Sequence, residues 1–206
     1  ADGVFWTDRP GAGMEPFDSN AIGSGSVFQS PTDDEEWVIN YSEGGPNGSQ
    51  QIRFETTRNS SLLGPWTPRP EVPPFRPDAA AGYQSGRWDT INAVRFNKST
   101  LFGWWTATPR ALNGGPAWRF GMGFGASNDG LHWRALPPAW LLTDGRVNVT
   151  GAGYEIGGAA FMGHHWYAFA CGAHTKLPAV MEGKVGCFTF VSSSPEGPYH
   201  LAQKNY

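Results

Sequence analysis

The feature that most constrains this sequence is a short segment that recurs three times at an almost constant interval. Each copy contains a serine, a turn glycine and a closing aromatic residue, and the copies cover residues 60–66, 127–133 and 193–199. The closing aromatic residues lie 67 and then 66 residues apart. A fixed period of this kind is typical of repeat architectures, in which each repeat is one supersecondary unit. We therefore expect one domain, residues 1–206, with repeat units at about 1–66, 67–133 and 134–199.

Each copy of the segment follows runs of residues that favour β-strands. These runs are rich in β-branched and aromatic residues and are bounded by Gly, Pro, Asn and Ser, which is typical of strands joined by turns. Four antiparallel strands per unit, ending in a turn and an aromatic residue, indicate the blade of a β-propeller. Three strands can be assigned ahead of each copy, at 26–28, 36–41 and 51–57, at 92–96, 101–107 and 117–124, and at 158–161, 166–171 and 185–191.

Composition supports an all-β chain. The sequence has 28 Gly, 17 Pro and 10 Trp, aromatic residues make up 14% of it and charged residues only 16%. No extended segment shows the apolar spacing of a helix, so long helices are not expected. Because propellers usually need about four to eight blades to close, three blades form an open arc. Either a longer polypeptide supplies the rest of the propeller, which we favour, or a second chain completes it.

Charge and hydropathy restrict the class of partner. A formal net charge of -3 gives no electrostatic footprint for nucleic acid or for an anionic membrane. No apolar run of about 18 residues is present, so no membrane-spanning helix is predicted. A neutral ligand such as a carbohydrate is the simpler expectation. The chain opens with Ala1 rather than with a signal segment, so we expect either a removed leader or a piece of a longer chain.

Sequons and cysteines favour an extracellular setting. Five Asn-x-Ser/Thr sequons indicate a secreted glycoprotein. Two cysteines lie in strand-like runs that could be adjacent and antiparallel. A disulfide would suit an oxidising compartment, and two buried thiols remain the alternative. The sequons are at Asn40, Asn47, Asn59, Asn97 and Asn148, and the cysteines are Cys171 and Cys187.

Two acidic residues stand at similar places in successive units. Asp89 and Glu155 are 66 residues apart, each at the entry to the first strand of its unit. Because innermost strands line the channel of a propeller, both carboxylates are expected in one pocket, and glycoside hydrolysis uses such a pair. Glu155 also precedes a small, apolar run, and poor solvation would raise the pKa of its carboxyl group, as a general acid requires. The alternative is a strand-edge glutamate that faces water.

These residues resemble the motifs of the five-bladed β-propeller glycosidases. The resemblance is to the fructosidase and invertase type, and to the related arabinanase, arabinofuranosidase and xylosidase type. In the fructosidase type an Asp, then a Ser-Gly-Ser motif and a strand open the second blade, and Asp18 followed by Ser24-Gly25-Ser26 is similar. Asp89 follows Trp88 at the matching place in the next blade, without the usual Arg-Asp-Pro. Glu155 follows Tyr154 at the next, without the Cys that often follows the family's Glu.

The resemblance implies a role for each residue. Glu155 would protonate the leaving oxygen, and Asp89 would stabilise an oxocarbenium-like transition state. A sugar subsite would be shaped by Asp18, Ser24, Trp88, Arg95 and Trp104, and no metal or cofactor is implied. The family's first-blade Asp would lie about two repeats before Asp89, ahead of the first residue of this sequence. The alternative function is a carbohydrate-binding or scaffold propeller without catalysis.

Three further features are expected to be structural. Residues 33–36 form an acidic run in a predicted hairpin, which we expect to be solvated, with calcium binding as the alternative. His164 and His165 are adjacent on a strand and so point to opposite faces, which disfavours a metal site with His174. The same alternation applies to Trp104 and Trp105, so one is expected in the core and the other in the channel.

Overall fold

The computed structural model describes residues 25–45, 50–60, 62, 64–109, 119–142, 155–173 and 185–203. These residues form fourteen β-strands, and no helix that could span a membrane is found among them. In chain order the strands are β1 (Gly25–Gln29), β2 (Trp37–Gly44), β3 (Gln50–Thr57), β4 (Thr67–Pro68), β5 (Tyr83–Trp88), β6 (Asn92–Asn97), β7 (Thr100–Trp105), β8 (Ala107–Pro109), β9 (Arg119–Ser127), β10 (Trp133–Leu142), β11 (Glu155–Met162), β12 (His165–Ala173), β13 (Val185–Ser192) and β14 (Tyr199–Gln203).

Twelve of these strands form three blades of four antiparallel strands. Blade 1 contains β1 to β4, blade 2 contains β6, β7, β9 and β10, and blade 3 contains β11 to β14. Every run that the sequence analysis assigned to a strand overlaps a strand of the structure. The prediction of an all-β, partial propeller with about three four-stranded blades is therefore confirmed.

The recurring segment is the turn between the third and fourth strands of a blade. The fourth strands begin at Thr67, Trp133 and Tyr199, and each pairs with its own blade. Each blade therefore continues past the closing aromatic residue. The unit ends predicted at residues 66 and 133 would divide the fourth strand from the rest of its sheet. The turn glycine has the same left-handed conformation in all three copies, with φ of 81° at Gly64, 81° at Gly130 and 85° at Gly197. Glycine recurs there because other residues rarely adopt this conformation.

Two apolar cores lie between successive blades. Blades 1 and 2 share one core, which includes Val38, Ile52 and Trp105, and blades 2 and 3 share the other, which includes Trp104 and Phe190. Trp104 and Trp105 are both fully buried. Because side chains alternate along a strand, the two rings do lie on opposite faces of blade 2, but another blade covers each of these faces. The expectation that one of this pair faces a channel is therefore wrong.

Glycines in β9 make room for these large rings. A Cβ atom at Gly123 would lie 2.1 Å from Nε1 of Trp105, and one at Gly125 would lie 2.9 Å from another atom of the same ring. Both distances are far below van der Waals contact, so only glycine fits at these positions. The Gly-x-Gly pattern of this strand thus follows from the packing of Trp105 against its backbone.

The hairpin of blade 2 continues past the blade as a second pair of strands. β5 pairs with β8, and β6 pairs with β7, so the two pairs follow one another along the same hairpin. Between them lie residues 89–91 on one side and Thr106 on the other. The sequence analysis assigned no strand to residues 83–88 and so missed the β5–β8 pair. Breaks of this kind free backbone groups for other partners.

The outer strands of blades 2 and 3 are joined. β10 pairs with β14 in parallel, with Leu141 opposite Tyr199 and Leu142 opposite His200. The two blades therefore form a single eight-stranded sheet. This join fixes blade 3 against blade 2 along the outer edge, while the apolar core fixes the interior.

Candidate active site

The chain segments that carry the two predicted acids meet at Thr106. The backbone N–H of Asp89 donates to the carbonyl oxygen of Thr106 at 3.0 Å. The backbone N–H of Ile156, the residue after Glu155, donates to Oγ1 of Thr106 at 2.9 Å. Thr106 is only 3% exposed. One buried residue therefore fixes the backbone beside both acids, at the same end of blades 2 and 3.

A second junction of the same kind joins blades 1 and 2. There the N–H of Ile91 donates to Oδ1 of Asn40 at 2.7 Å, and its carbonyl accepts from Nδ2 of Asn40 and from Oγ of Ser26. At the other junction Ile156 has Thr106 on its N–H, and its carbonyl accepts from Nδ2 of Asn92 at 3.3 Å. At both junctions, polar side chains of one blade hold the main chain of an isoleucine at the entry to the next.

The isoleucines and the acids keep different spacings. Ile91 and Ile156 are equivalent by their contacts and are 65 residues apart, whereas Asp89 and Glu155 are 66 apart. Asp89 therefore lies two residues before its isoleucine, and Glu155 lies one residue before. In the hairpin register, however, the acids hold the same position: the N–H of Asp89 bonds to Thr106, Glu155 is opposite Cys171, and each hairpin gains one residue before its next pair, Asn92–Trp104 or Gly158–Phe169. The backbone segments that carry the two acids are therefore brought together at equivalent positions of their hairpins.

Asp89 is largely buried and ion-paired. Arg87 contacts Oδ2 of Asp89 through Nη2 at 2.6 Å and through Nε at 3.1 Å. The side chain of Asp89 is 12% exposed and that of Arg87 is 28% exposed. Sequence analysis missed Arg87, although residues i and i+2 of an extended segment share a face. Both contacts use one carboxylate oxygen, so Oδ1 is the oxygen of Asp89 that Arg87 does not contact.

Four aromatic rings pack together beside the chain segment that carries Asp89. Phe75, Tyr83, Trp88 and Trp105 pack together, and the ring centroids of Trp88 and Trp105 are 5.0 Å apart. Trp88 is fully buried, and its backbone N–H donates to Oε1 of Gln50 at 3.0 Å. Rigid packing of this kind fixes the backbone on which Asp89 stands.

The predicted stacking residues do not face a ligand. Trp88 and Trp104 are both fully buried, and Nε1 of Trp104 donates to the carbonyl oxygen of Pro195. A buried ring has no face to offer a sugar, so the prediction that these two residues shape a sugar subsite is wrong. Their indoles instead build the cores between blades.

The prediction that Arg95 helps to shape the sugar subsite is also wrong. Arg95 lies six residues after Asp89, which corresponds to about 20 Å along an extended chain. Its Nη2 donates to the carbonyl oxygen of Ser30 at 2.6 Å, and its Nη1 lies 3.6 Å from Asp34. Arg95 therefore joins blades 1 and 2 at the end of β6 away from Asp89. Asp18 and Ser24, the other predicted subsite residues, lie outside the described residues.

A disulfide lies next to Glu155 in the sheet. Glu155 is opposite Cys171 in the β11–β12 register, and Cys171 is opposite Cys187 in the β12–β13 register. The two cysteines form a disulfide with a Cα–Cα distance of 4.0 Å. Of the two alternatives left open by the sequence, the structure therefore contains the disulfide.

The sequons differ in their surroundings. Asn40 is fully buried, and Nδ2 of its amide donates to Ser26 and Ile91. A glycan on Nδ2 has no space there, so the glycosylation predicted at Asn40 is not compatible with this fold. Nδ2 of Asn59 donates to the carbonyl of Gly64 at 2.6 Å, and Asn97 is exposed beside a hairpin turn. Asn47 and Asn148 lie outside the described residues.

Blade 1 contains buried acids that the sequence analysis did not single out. Glu55 is fully buried, its Oε1 accepts a hydrogen bond from the hydroxyl of Tyr41 at 3.1 Å, and its Oε2 has no partner among the described residues. Burial raises the pKa of Glu55, and the hydrogen bond from Tyr41 offsets part of that rise. Glu43 is 2% exposed and is paired with Arg53 at 2.6 Å. Glu43 lies between Ser42 and Gly44, and Glu55 lies between Phe54 and Thr56, so neither shows the apolar alternation that would have identified it.

The acidic run is held by arginines. Asp33 is paired with Arg58, and Glu36 lies 3.7 Å from Arg69. His164 and His165 are both exposed, at the turn between β11 and β12, and His174 lies outside the described residues. Within the described part of the chain, no group of three or more His, Cys, Asp or Glu could hold a metal ion.

Comparison with known proteins gives matches in structure only. No family model matches the chain, and no curated protein matches its sequence. A β-fructofuranosidase from Microbacterium saccharophilum K-1 matches with a TM-score of 0.57 at 14% identity, over 89% of this chain and 42% of that one. A levansucrase from Bacillus subtilis matches with a TM-score of 0.56 at 12% identity, over 84% and 52%. An exo-β-1,3-galactanase from Phanerochaete chrysosporium matches with a TM-score of 0.52 at 15% identity, over 91% and 36%.

In fold, the chain resembles the five-bladed β-propeller glycoside hydrolases. The three matches agree on this architecture although the substrates in their names differ. This chain spans between 36% and 52% of the length of those proteins.

Proposed function

We propose that this chain belongs to a secreted glycoside hydrolase that cleaves furanosidic or related glycosidic bonds. One observation carries the proposal: Thr106 joins the backbone at Asp89 to the backbone at Ile156, beside Glu155. Two acids on neighbouring blades are thus held at one end of a propeller. Glycoside hydrolysis requires a pair of carboxyl groups that flank the bond to be cleaved.

The surroundings of Asp89 suit an electrostatic role. Arg87 contacts its carboxylate, and the side chain is largely buried, so the carboxylate is held in one place. An ionised carboxylate stabilises positive charge that develops on the sugar ring in the transition state. Glu155 then takes the remaining role, donation of a proton to the leaving oxygen. The resemblance described above implies a further acid from another blade, ahead of this sequence.

The structural neighbours support a carbohydrate ligand. A β-fructofuranosidase and a levansucrase are among them, which favours furanosides, and an exo-β-1,3-galactanase is another. Secretion is part of the proposal because the disulfide of Cys171 and Cys187 suits an oxidising compartment. Glycan attachment at Asn97 would support it further, since this sequon is exposed.

The alternative is a propeller that binds carbohydrate without cleaving it. The burial and ion pairing of Asp89 favour this alternative, because a carboxylate engaged by arginine is less available to a substrate. A screen of the polypeptide from its natural source separates the two functions. Release of reducing sugar from β-fructofuranosides or α-L-arabinofuranosides supports hydrolysis. Binding of the same sugars, measured by calorimetry, without any release supports the alternative.

A further inference from the structure

Blade 1 has a cavity of about 530 Å³ at the end where β2 begins and β3 ends. Cavities of about 300 to 1,000 Å³ are typical of small-molecule sites in proteins. The lining comes from three segments of the blade, namely the acidic run, the end of β3 with the turn that follows it, and β4. The lining residues include Glu36, Thr56, Thr57, Arg58, Thr67 and Arg69. The cavity is therefore formed by several elements of the blade and not by a single loop.

This cavity lies far from the two candidate acids. Oε1 of Gln50, at the start of β3, accepts from the backbone N–H of Trp88, the residue before Asp89. Thr57 lies seven residues further along the same strand, which corresponds to about 23 Å. A small ligand in the cavity therefore does not reach Asp89, and the cavity is separate from the candidate active site.

The charged side chains at the cavity are paired with one another. Arg58 and Arg69 each form ion pairs with two carboxylates, which are those of Asp33, Glu35, Glu36 and Glu71. These four carboxylates would repel an anion that approached the arginines. A cation would have to displace an arginine from its carboxylates. The pairing therefore favours a ligand without net charge.

The lining offers both donors and acceptors of hydrogen bonds. Thr56 and Thr57 are each 6% exposed. Oγ1 of Thr57 accepts from the backbone N–H of Asn59 at 3.1 Å, and Oγ1 of Thr56 accepts from Nη1 of Arg69 at 3.4 Å. A hydroxyl that accepts one bond can still donate its proton. These groups suit a ligand rich in hydroxyl groups, which also donate and accept, and Pro65 adds an apolar contact.

We propose that this cavity binds a neutral carbohydrate and is a second sugar site, apart from the two acids. The inference rests on the class of ligand in the proposed function, and it does not depend on catalysis. It also gives the acidic run a role, because the carboxylates of that run hold Arg58 and Arg69 at the cavity. A sugar chain bound here would be kept on the protein without occupying the candidate active site.

Chemical-shift mapping by NMR tests this proposal on the 206-residue chain. The probes are kestose, arabinotriose and galactotriose, three uncharged trisaccharides. We expect saturable shifts of the amide signals of Thr56, Thr57 and Asn59 with at least one of them. No saturable shift at these amides with any of the three would overturn the proposal, and so would shifts caused only by inorganic phosphate or Ca²⁺. Shifts confined to the amides around Asp89 and Glu155 would support the proposed function and overturn this inference, so the two can fail separately.

Substitutions in the lining confirm the position of the sugar. Arg58→Gln removes a guanidinium that is 61% exposed, so the Tm should change little, while the affinity for the sugar should fall by about tenfold. Arg134→Gln, at an exposed arginine of β10, is the matched control and should leave the affinity unchanged. Thr67→Val, at an exposed threonine of β4, removes a hydroxyl of the lining without touching the ion pairs and should also weaken binding. Unchanged affinity in both lining variants would contradict the proposed site.

Discussion

The two junctions between blades perform the same task with different side chains. At the first, Asn40 alone holds both the N–H and the carbonyl of Ile91, and Ser26 adds a bond to that carbonyl. At the second, Thr106 holds the N–H of Ile156, while Asn92 reaches the carbonyl at 3.3 Å. Both junctions therefore fix the main chain of the isoleucine, although they use different side chains. At the first junction one side chain, Asn40, reaches both main-chain groups of the isoleucine, whereas at the second no single side chain does.

The largest expected effect is at the first junction. Asn40→Ala removes the acceptor of the Ile91 N–H and three contacts of its own amide. A buried donor left without a partner costs about 1 to 3 kcal/mol, so we expect a loss of about 3 to 4 kcal/mol in the free energy of unfolding. Urea denaturation of the 206-residue chain measures it. Asn97→Ala, at an exposed asparagine that also lies in a sequon, is the control and should cost about 1 kcal/mol or less.

Cys171 of blade 3 is disulfide-bonded, whereas blade 2 has the polar residue Thr106 at the equivalent position. Removing the disulfide tests how much it stabilises the third blade. Cys171→Ala with Cys187→Ala opens a loop with a sequence separation of 16. The chain-entropy treatment gives a loss of about 3 kcal/mol for a loop of this size. Denaturation with and without reductant provides the measurement. If the double variant matched the oxidised parent, the disulfide would contribute nothing to stability.

The second junction is expected to be weaker. Thr106→Val keeps the shape of the side chain but removes Oγ1, which accepts from the Ile156 N–H, so we expect a loss of about 2 kcal/mol. Thr106→Ser keeps the acceptor and should cost less than about 1 kcal/mol. Amide exchange at Ile156, read by NMR, should be faster in the valine variant than in the serine variant. Equal exchange in the two would mean that Thr106 does not hold this segment.

The smallest effect is at Glu55, and it has the opposite sign. Burial raises the pKa of Glu55 in the folded chain, so the folded state retains the proton at higher pH than the unfolded state. The stability contributed by this group is complete below its unfolded pKa and is lost as the pH rises through its folded pKa. Glu55→Gln should therefore stabilise the chain by about 1 kcal/mol at pH 7 and flatten the pH dependence. Glu35→Gln, at an exposed glutamate, is the control. If the stability of the parent did not fall as the pH rose through the folded pKa of Glu55, the assignment would be contradicted.

Sequence reasoning located the blades because alternation and turn chemistry are local. Period-two patterning predicts the strands around Trp104 and Trp105, and the left-handed conformation of the turn explains why glycine recurs there three times. Burial of both tryptophans depends on blades that lie on either side of blade 2, and no local pattern contains that information.

The candidate site was predictable only in part. The spacing of Asp89 and Glu155 indicated that both acids lie at one end of the blades. The 66-residue count agrees with the hairpin register, because both hairpins gain one residue just after the acid. Thr106 was missed because its role arises from a contact between blades, whereas the Arg87–Asp89 pair is local and could have been found from the sequence. Arg95 was misassigned because its partner, Ser30, belongs to another blade.

The most direct test of the proposed chemistry uses the leaving group of the substrate. In the polypeptide from its natural source, Glu155→Gln is compared with the parent on an alkyl furanoside, whose leaving group needs protonation, and on a 4-nitrophenyl furanoside, whose leaving group does not. Loss of a general acid typically costs about 10²- to 10⁴-fold in rate. We predict a loss of that size in kcat on the alkyl substrate and a much smaller loss on the 4-nitrophenyl substrate. Equal losses on the two substrates, or none on either, would contradict Glu155 as the acid.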